Sequence, residues 1–311
     1  MYTHEKKGIA SFHRLCSGAR VILSSVLFLL SSASGLWSFA PPQDPYSPQY
    51  FSGHTYRQTL VEARLGYLWG WNEIRFRDGN NGLAPPGKTM VQLNSPLFGV
   101  MAGTASGDLA FRAQAWINIP TEWDTNFYVN RVSERWNTQA AYFEADVSAI
   151  YQLGLGNMPY TAGLMAGYRY NQLDFASTRV PNSPARFDDH FHVHVPYLGV
   201  YYAHDNLLGS VVRLDLLASP VTFALVDSKG LLNGSPMRVD ANSVMGRMYE
   251  LLFEVSRRVG DSSLFGLFVK GSYLELDGGA TFTSPLFRQT SFSMDSRTGS
   301  VVAGLSGVYS F

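Results

Sequence analysis

Cysteine is all but missing from this 311-residue chain: Cys16 is its single thiol, and it lies ahead of an apolar run. With no second cysteine the chain forms no internal disulfide and no cysteine-based metal site. Charge is sparse, at 15% of residues, and neither sign dominates, because 24 Lys and Arg face 24 Asp and Glu. That balance excludes the basic footprint of a nucleic-acid partner. Long hydrophobic runs are also lacking. Past residue 30 no stretch stays uniformly apolar for about 18 residues, so no membrane-spanning helix is expected. Nor does the chain contain a Gly-rich phosphate loop, an HExxH or a GxSxG. No motif requires a cofactor, and none is expected.

What is abundant is aromatic and alternating. Aromatics make up 14% of the chain and hydrophobic residues 46%, yet mean hydropathy is only −0.04. Lys6, Lys7, Arg14 and Arg20 precede the apolar run Val21 to Leu30, and Ser31, Ser32, Ala33 and Ser34 follow. Charged, apolar, then small is the order of a secretory signal. Residues 1–33 are therefore expected to be a signal peptide, cut after Ala33. Only Glu5 offsets their four basic residues, so the remainder carries a net charge of −3. Residues 34–58, rich in Pro and Tyr, read as a periplasmic linker.

From residue 59 to 311 the chain reads as alternating segments of about ten residues, with short and long breaks in turn. The short breaks fall near 105–108, 154–159, 204–206 and 260–262. The long ones fall near 78–89, 120–139, 175–189, 222–246 and 277–296. In the last segment Phe311, Tyr309, Gly307, Leu305, Ala303 and Val301 share one face, and small, mostly polar residues the other. An apolar face toward lipid and a polar face toward a lumen is the two-residue period of a transmembrane strand. Such a strand ending in Phe resembles the closing strand of bacterial outer-membrane β-barrels. The resemblance makes Phe311 and Tyr309 an assembly signal, read by the outer-membrane assembly machinery. The fold expected is all-β: an antiparallel up-and-down transmembrane β-barrel of about ten strands. It would lie in the outer membrane of a Gram-negative-type bacterium, against the lipid bilayer and lipopolysaccharide. Pro96 and Pro196 fall inside strands and predict bulges or local openings, since proline cannot complete the ladder.

The polar face carries Glu62, Arg64, Arg112, Glu144, Asp146, Arg169, Arg213, Asp215, Glu250, Glu254, Arg258 and Lys270. About eight strands enclose a filled interior and about sixteen an open pore. At about ten, opposite charges in similar supply predict an ion-pair network that plugs the lumen. The stretch Asp188-Asp189-His190-Phe191-His192-Val193-His194 places His190, His192 and His194 on one face, about 7 Å apart. Taking Phe191, Val193 and Val195 as lipid-facing puts the histidines in the upper lumen. There they are candidates for metal or proton binding.

Size and strand count are similar to those of the omptin family of outer-membrane proteases. That resemblance implies an acidic pair and an Asp–His pair across the barrel mouth. Asp188, Asp189 and His190, with Asp124 opposite, are the candidates for that chemistry, although they do not follow the omptin pattern. Three functions stay open. The first is a plugged barrel with a structural or surface-interaction role, its long loops presenting aromatics such as Trp136 and Phe282. The second is a narrow selective channel for small solutes. The third is an omptin-like or lipid-modifying surface hydrolase.

Overall fold

The computed structural model describes residues 58–310, apart from 78–86, 107, 130–131, 154–159, 180–184, 208–209, 233–234, 260–262 and 285–289. The expected signal peptide, nearly all of the linker, and Phe311 lie outside the described residues. The elements are β1 (Gln58–Arg77), β2 (Gly87–Gln92), β3 (Ser95–Ser106), β4 (Leu109–Asn118), β5 (Thr121–Val129) and β6 (Val132–Leu153). They continue as β7 (Tyr160–Arg179), β8 (Arg186–Leu207), β9 (Ser210–Leu232), β10 (Ser235–Arg258), β11 (Ser263–Thr283) and β12 (Thr290–Ser310).

Every neighbour is antiparallel, and the sheet closes on itself where β1 meets β12, from Leu60 opposite Ser310 to Arg77 opposite Ser293. The twelve segments make ten staves. Both β2 and β3 pair with β1, and both β4 and β5 pair with β6. Each of these couples is one wall strand interrupted after Gln92 or after Asn118. Proline explains the interruptions, since Pro96 and Pro120 lack an N–H for the ladder. Side chains fill in: Asn118 Nδ2 donates to Ala140 O at 3.1 Å, and Tyr142 N donates to Asn118 Oδ1 at 2.7 Å. At Pro196 the register between β8 and β9 shifts, with Ser219 Oγ 2.6 Å from Pro196 O. The bulge at Ser219–Thr222 moves the inward face of β9 from odd to even residues.

The strands are much longer than the membrane needs. About 9–11 tilted residues cross a bilayer, whereas β10 runs for 24. Most of the expected long loops are strand instead: β5 and β6 turn at 130–131, and β9 and β10 turn at 233–234. Toward their tips these stretches still alternate, but with apolar residues inward and polar ones outward, because the upper wall stands in water. Trp136 accordingly packs inside and Phe282 packs against the core rather than serving as loop display.

This inversion orders the whole molecule. Along β1 the outward residues are Leu65, Tyr67, Trp69 and Trp71, then Glu73, Arg75 and Arg77; the inward ones are Glu62 and Arg64, then Leu68, Ile74 and Phe76. Leu65, Leu198 and Leu267 are 59–67% exposed on the lipid-facing wall. Inside, a lower apolar cluster includes Leu60, Met101, Ile150, Met165, Tyr201 and Val308. An upper one includes Leu97, Trp116, Phe175, Phe191, Val193, Phe268 and Met294. Burying each such large side chain stabilises the fold by about 1.5–3 kcal/mol.

Candidate functional site

Between the two apolar clusters lies a layer of buried charge. Its first half joins Glu62, Arg64, Arg112, Arg213, Asp215 and Glu254. Arg64 Nη2 donates to Glu254 Oε2 at 2.9 Å, and Arg64 also pairs with Glu62. Asp215 accepts from Arg112 at 2.9 Å and from Arg213 at 2.7 Å. Arg213 reaches on to Glu62 at 3.5 Å. Ser306 Oγ donates to Glu254 at 2.6 Å. Three cations meet three carboxylates, so this half is neutral.

The second half centres on Arg169. Its Nε donates to Asp146 at 3.0 Å and its Nη2 to Glu250 at 2.7 Å, with Glu144 at 3.6 Å. Lys270 Nζ lies 2.7 Å from Glu144 and 3.3 Å from Glu250. The Tyr197 hydroxyl donates to Asp146 at 2.8 Å. Two cations against three carboxylates leave this half one negative charge in excess. Aromatic rings brace the cations: Arg169 lies 5.7 Å from the Tyr197 ring, and Lys270 lies 5.3 Å from the Trp116 ring. The cavity bordered by both halves measures about 10 Å³, room for about one water.

Eleven of the twelve expected lumen charges belong to this layer. Arg258 does not. It is exposed at the end of β10, below Ser256, the last buried inward residue of that strand. Lower apolar packing closes the lumen above it, so its guanidinium lies outside the charged layer.

The histidines are also placed differently from the expectation. Phe191, Val193 and Val195 are fully buried inside the upper barrel. His190, His192 and His194 therefore point outward, continuing the face of Leu198, Val200 and Tyr202 to the top of the apolar girdle, where His194 and His192 lie opposite the exposed Phe223 and Leu225 and His190 lies opposite Asp227. Their partners come from β7. Tyr170 Oη lies 2.6 Å from His192 Nδ1, and His190 Nδ1 lies 2.8 Å from Asp174 Oδ1. Among the described residues no group of three or more His, Cys, Asp or Glu side chains converges as a metal site. Asp189 points the opposite way from His190, into the mouth, where the Ser228 hydroxyl donates to it. Burial holds its carboxyl up, at about 6, against that hydrogen bond. Asp188 pairs with Arg186 at 2.8 Å. Asp124 lies opposite Asn137 in the backbone register, and its side chain is outside the described ones. The carboxylate–histidine couple is thus Asp174–His190, on the outer wall. The register, rather than any local motif, makes this pair, so the sequence carried no signal for Asp174.

His190 and Asp174 form a pH-dependent contact above the membrane. The Asp174 carboxylate raises the imidazole above its ordinary value, against the effect of burial. The stabilisation is fully present below the unfolded value near 6.5 and is lost as pH rises through the raised folded value. Asp174→Asn should lower the urea midpoint at pH 5.5 by the equivalent of about 1 kcal/mol or less. It should leave the midpoint at pH 9 unchanged, and equal losses at both pH values would refute the assignment.

No protein-family model and no curated sequence matches the chain. Solved structures do. The outer-membrane protease OmpT from Escherichia coli is similar at a TM-score of 0.68 with 13% identity, over 86% of this chain and 100% of that one. The translocator domain of the autotransporter NalP from Neisseria meningitidis gives a TM-score of 0.40 and 12% identity, over 94% of this chain and 97% of that one. OprG from Pseudomonas aeruginosa gives 0.28 and 13%, over 83% and 98%. Closed pairing, an apolar outer girdle and the likeness to OmpT make this chain an outer-membrane β-barrel of omptin-like architecture.

Proposed function

We propose that the protein is a closed barrel of the Gram-negative outer membrane, with a structural or surface-interaction role. One observation supports this above the rest: two apolar clusters and the charged layer between them are stacked along the interior. A channel needs a continuous water path, and a cavity of about 10 Å³ in the charged layer is not one. A surface hydrolase needs a nucleophile and a pocket beside its base. The Asp174–His190 couple could activate a water as nucleophile, but it faces outward on the wall of β7 and β8 rather than into the mouth, where a substrate would be enclosed. In this reading the rigid upper wall meets lipopolysaccharide and surface partners. The assembly machinery inserts the barrel by reading Phe311 and Tyr309.

The refolded mature chain in a planar bilayer should give no steady conductance, with folding confirmed by circular dichroism. A stable, ion-selective open level would overturn the plugged-barrel reading and favour the channel.

A further inference from the structure

The outward face of β7 and β8 carries a chain of hydrogen bonds with an imidazole at each end. His190 Nδ1 lies 2.8 Å from Asp174 Oδ1, and the other oxygen of that carboxylate accepts from Gln172 Nε2 at 2.7 Å. Gln172 Oε1 lies 3.4 Å from the Tyr170 hydroxyl, which in turn lies 2.6 Å from His192 Nδ1. One placement of the hydrogens satisfies every link. A carboxylate only accepts, so His190 Nδ1 carries the proton. An amide oxygen also only accepts, so Tyr170 donates to Gln172 and accepts from His192 Nδ1. Both neutral rings are then held with Nδ1 protonated, which leaves the lone pair on Nε2. Among the described residues neither Nε2 has a hydrogen-bond partner.

Tying down one ring nitrogen through an outer partner is how proteins aim an imidazole at a metal ion. His190 and His192 are same-face neighbours about 7 Å apart on one strand. As placed they form no converged three-ligand group; rotation of the rings brings both Nε2 atoms toward the roughly 2.0–2.1 Å that zinc takes. Across the ladder Asp227 stands opposite His190, and its Oδ1 has no hydrogen bond. Lys229 holds the other oxygen, and Arg238 Nε lies 3.5 Å from Oδ1. On this stretch of wall Asp174, Asp188, Asp227 and Asp240 outnumber Arg186, Lys229 and Arg238, so a cation meets no net repulsion. His194 is set the other way. Tyr168 has no onward acceptor among the described residues, so its hydroxyl donates to His194 Nδ1 and the ring proton sits on Nε2.

We propose that His190 and His192 chelate one divalent transition-metal ion through their Nε2 atoms, with Asp227 as the nearest carboxylate and water in the remaining positions. Imidazole nitrogens select ions such as Zn²⁺ and Cu²⁺ over the oxygen-seeking Mg²⁺ and Ca²⁺. The site belongs to the outer wall and is independent of whether the lumen conducts.

The test is isothermal titration calorimetry of the folded mature barrel in neutral detergent, with Zn²⁺ and separately with Mg²⁺. The wild-type protein should bind one Zn²⁺ and show no binding of Mg²⁺ over the same range. His190→Gln combined with His192→Gln should abolish Zn²⁺ binding, whereas His194→Gln should leave it unchanged. Asp174→Ala should weaken it about tenfold or more, because the His190 ring loses its outer partner. Electron paramagnetic resonance of the Cu²⁺-loaded barrel should show two coordinated nitrogens in the wild-type protein and one in His192→Gln. Circular dichroism and the cold mobility of the unheated protein establish that each variant is folded. A wild-type barrel that binds no Zn²⁺ would overturn the proposal, and so would binding that survives the double histidine substitution.

Discussion

Arg169→Met should cost the folded barrel about 3–5 kcal/mol, the range for removing one partner from a buried ion pair. The side chain is fully buried and holds Asp146 and Glu250, with Glu144 close by. Methionine keeps much of the volume, so the loss measures charge rather than a cavity. Only Lys270 would remain to face three carboxylates. Urea unfolding in phospholipid vesicles, followed by tryptophan fluorescence, reads the effect. Lys229→Met is the control, because that lysine is exposed and its pair with Asp227 should be worth less than about 1 kcal/mol. Equal midpoints for the two variants would show that Arg169 is no hub. Adding Glu250→Leu to Arg169→Met should recover part of the loss, because the two positions share one network.

Trp116→Ala should cost about as much, roughly 3–5 kcal/mol, for a different reason. Trp116 is buried where the charged layer meets the upper apolar cluster. Its ring centroid lies 5.7 Å from that of Phe268 and 5.6 Å from the Arg64 guanidinium carbon. Gly99, directly opposite on β3, is what admits it, since a Cβ there would come within 2.5 Å of the indole. Alanine leaves a cavity and removes a ring that braces both Arg64 and Lys270. Trp116→Phe should cost far less, since the indole Nε1 has no hydrogen bond to lose. The same unfolding assay separates the two substitutions, and an alanine variant as stable as the phenylalanine one would show that the ring does not brace the layer.

Much of the architecture was legible because a strand's period is two and does not drift. Glu62 with Arg64, Arg112 with Gln114, and Glu250 with Glu254 fall on the inward face whatever the register. Those residues predicted a charged interior, and the interior is charged. The partners were not legible. Arg169 meets Glu250 across 81 positions of sequence, and Lys270 meets Glu144 across 126. Such contacts depend on barrel closure and stagger, which no local pattern encodes. The bulge in β9 was foreshadowed by Pro196, but its consequence, the exchange of inward and outward faces above Ser219, follows only from the paired register.

The sequence by itself determined which residues share a face, that the wall is all strand, and that about ten staves compose it. Only the tertiary structure decided where the membrane stops along each stave. His190, His192 and His194 show why that matters. They lie on the same face as Leu198 and Val200, so alternation alone groups them correctly. Their direction was misread because apolar residues were taken to point outward along the whole strand. That holds only where lipid is the solvent. Above the bilayer the outer wall meets water and the interior is an apolar core. The unbroken period then turns Phe191 and Val193 inward and leaves the histidines outside. Periodicity is a property of the backbone, whereas the meaning of each face is set by what surrounds it.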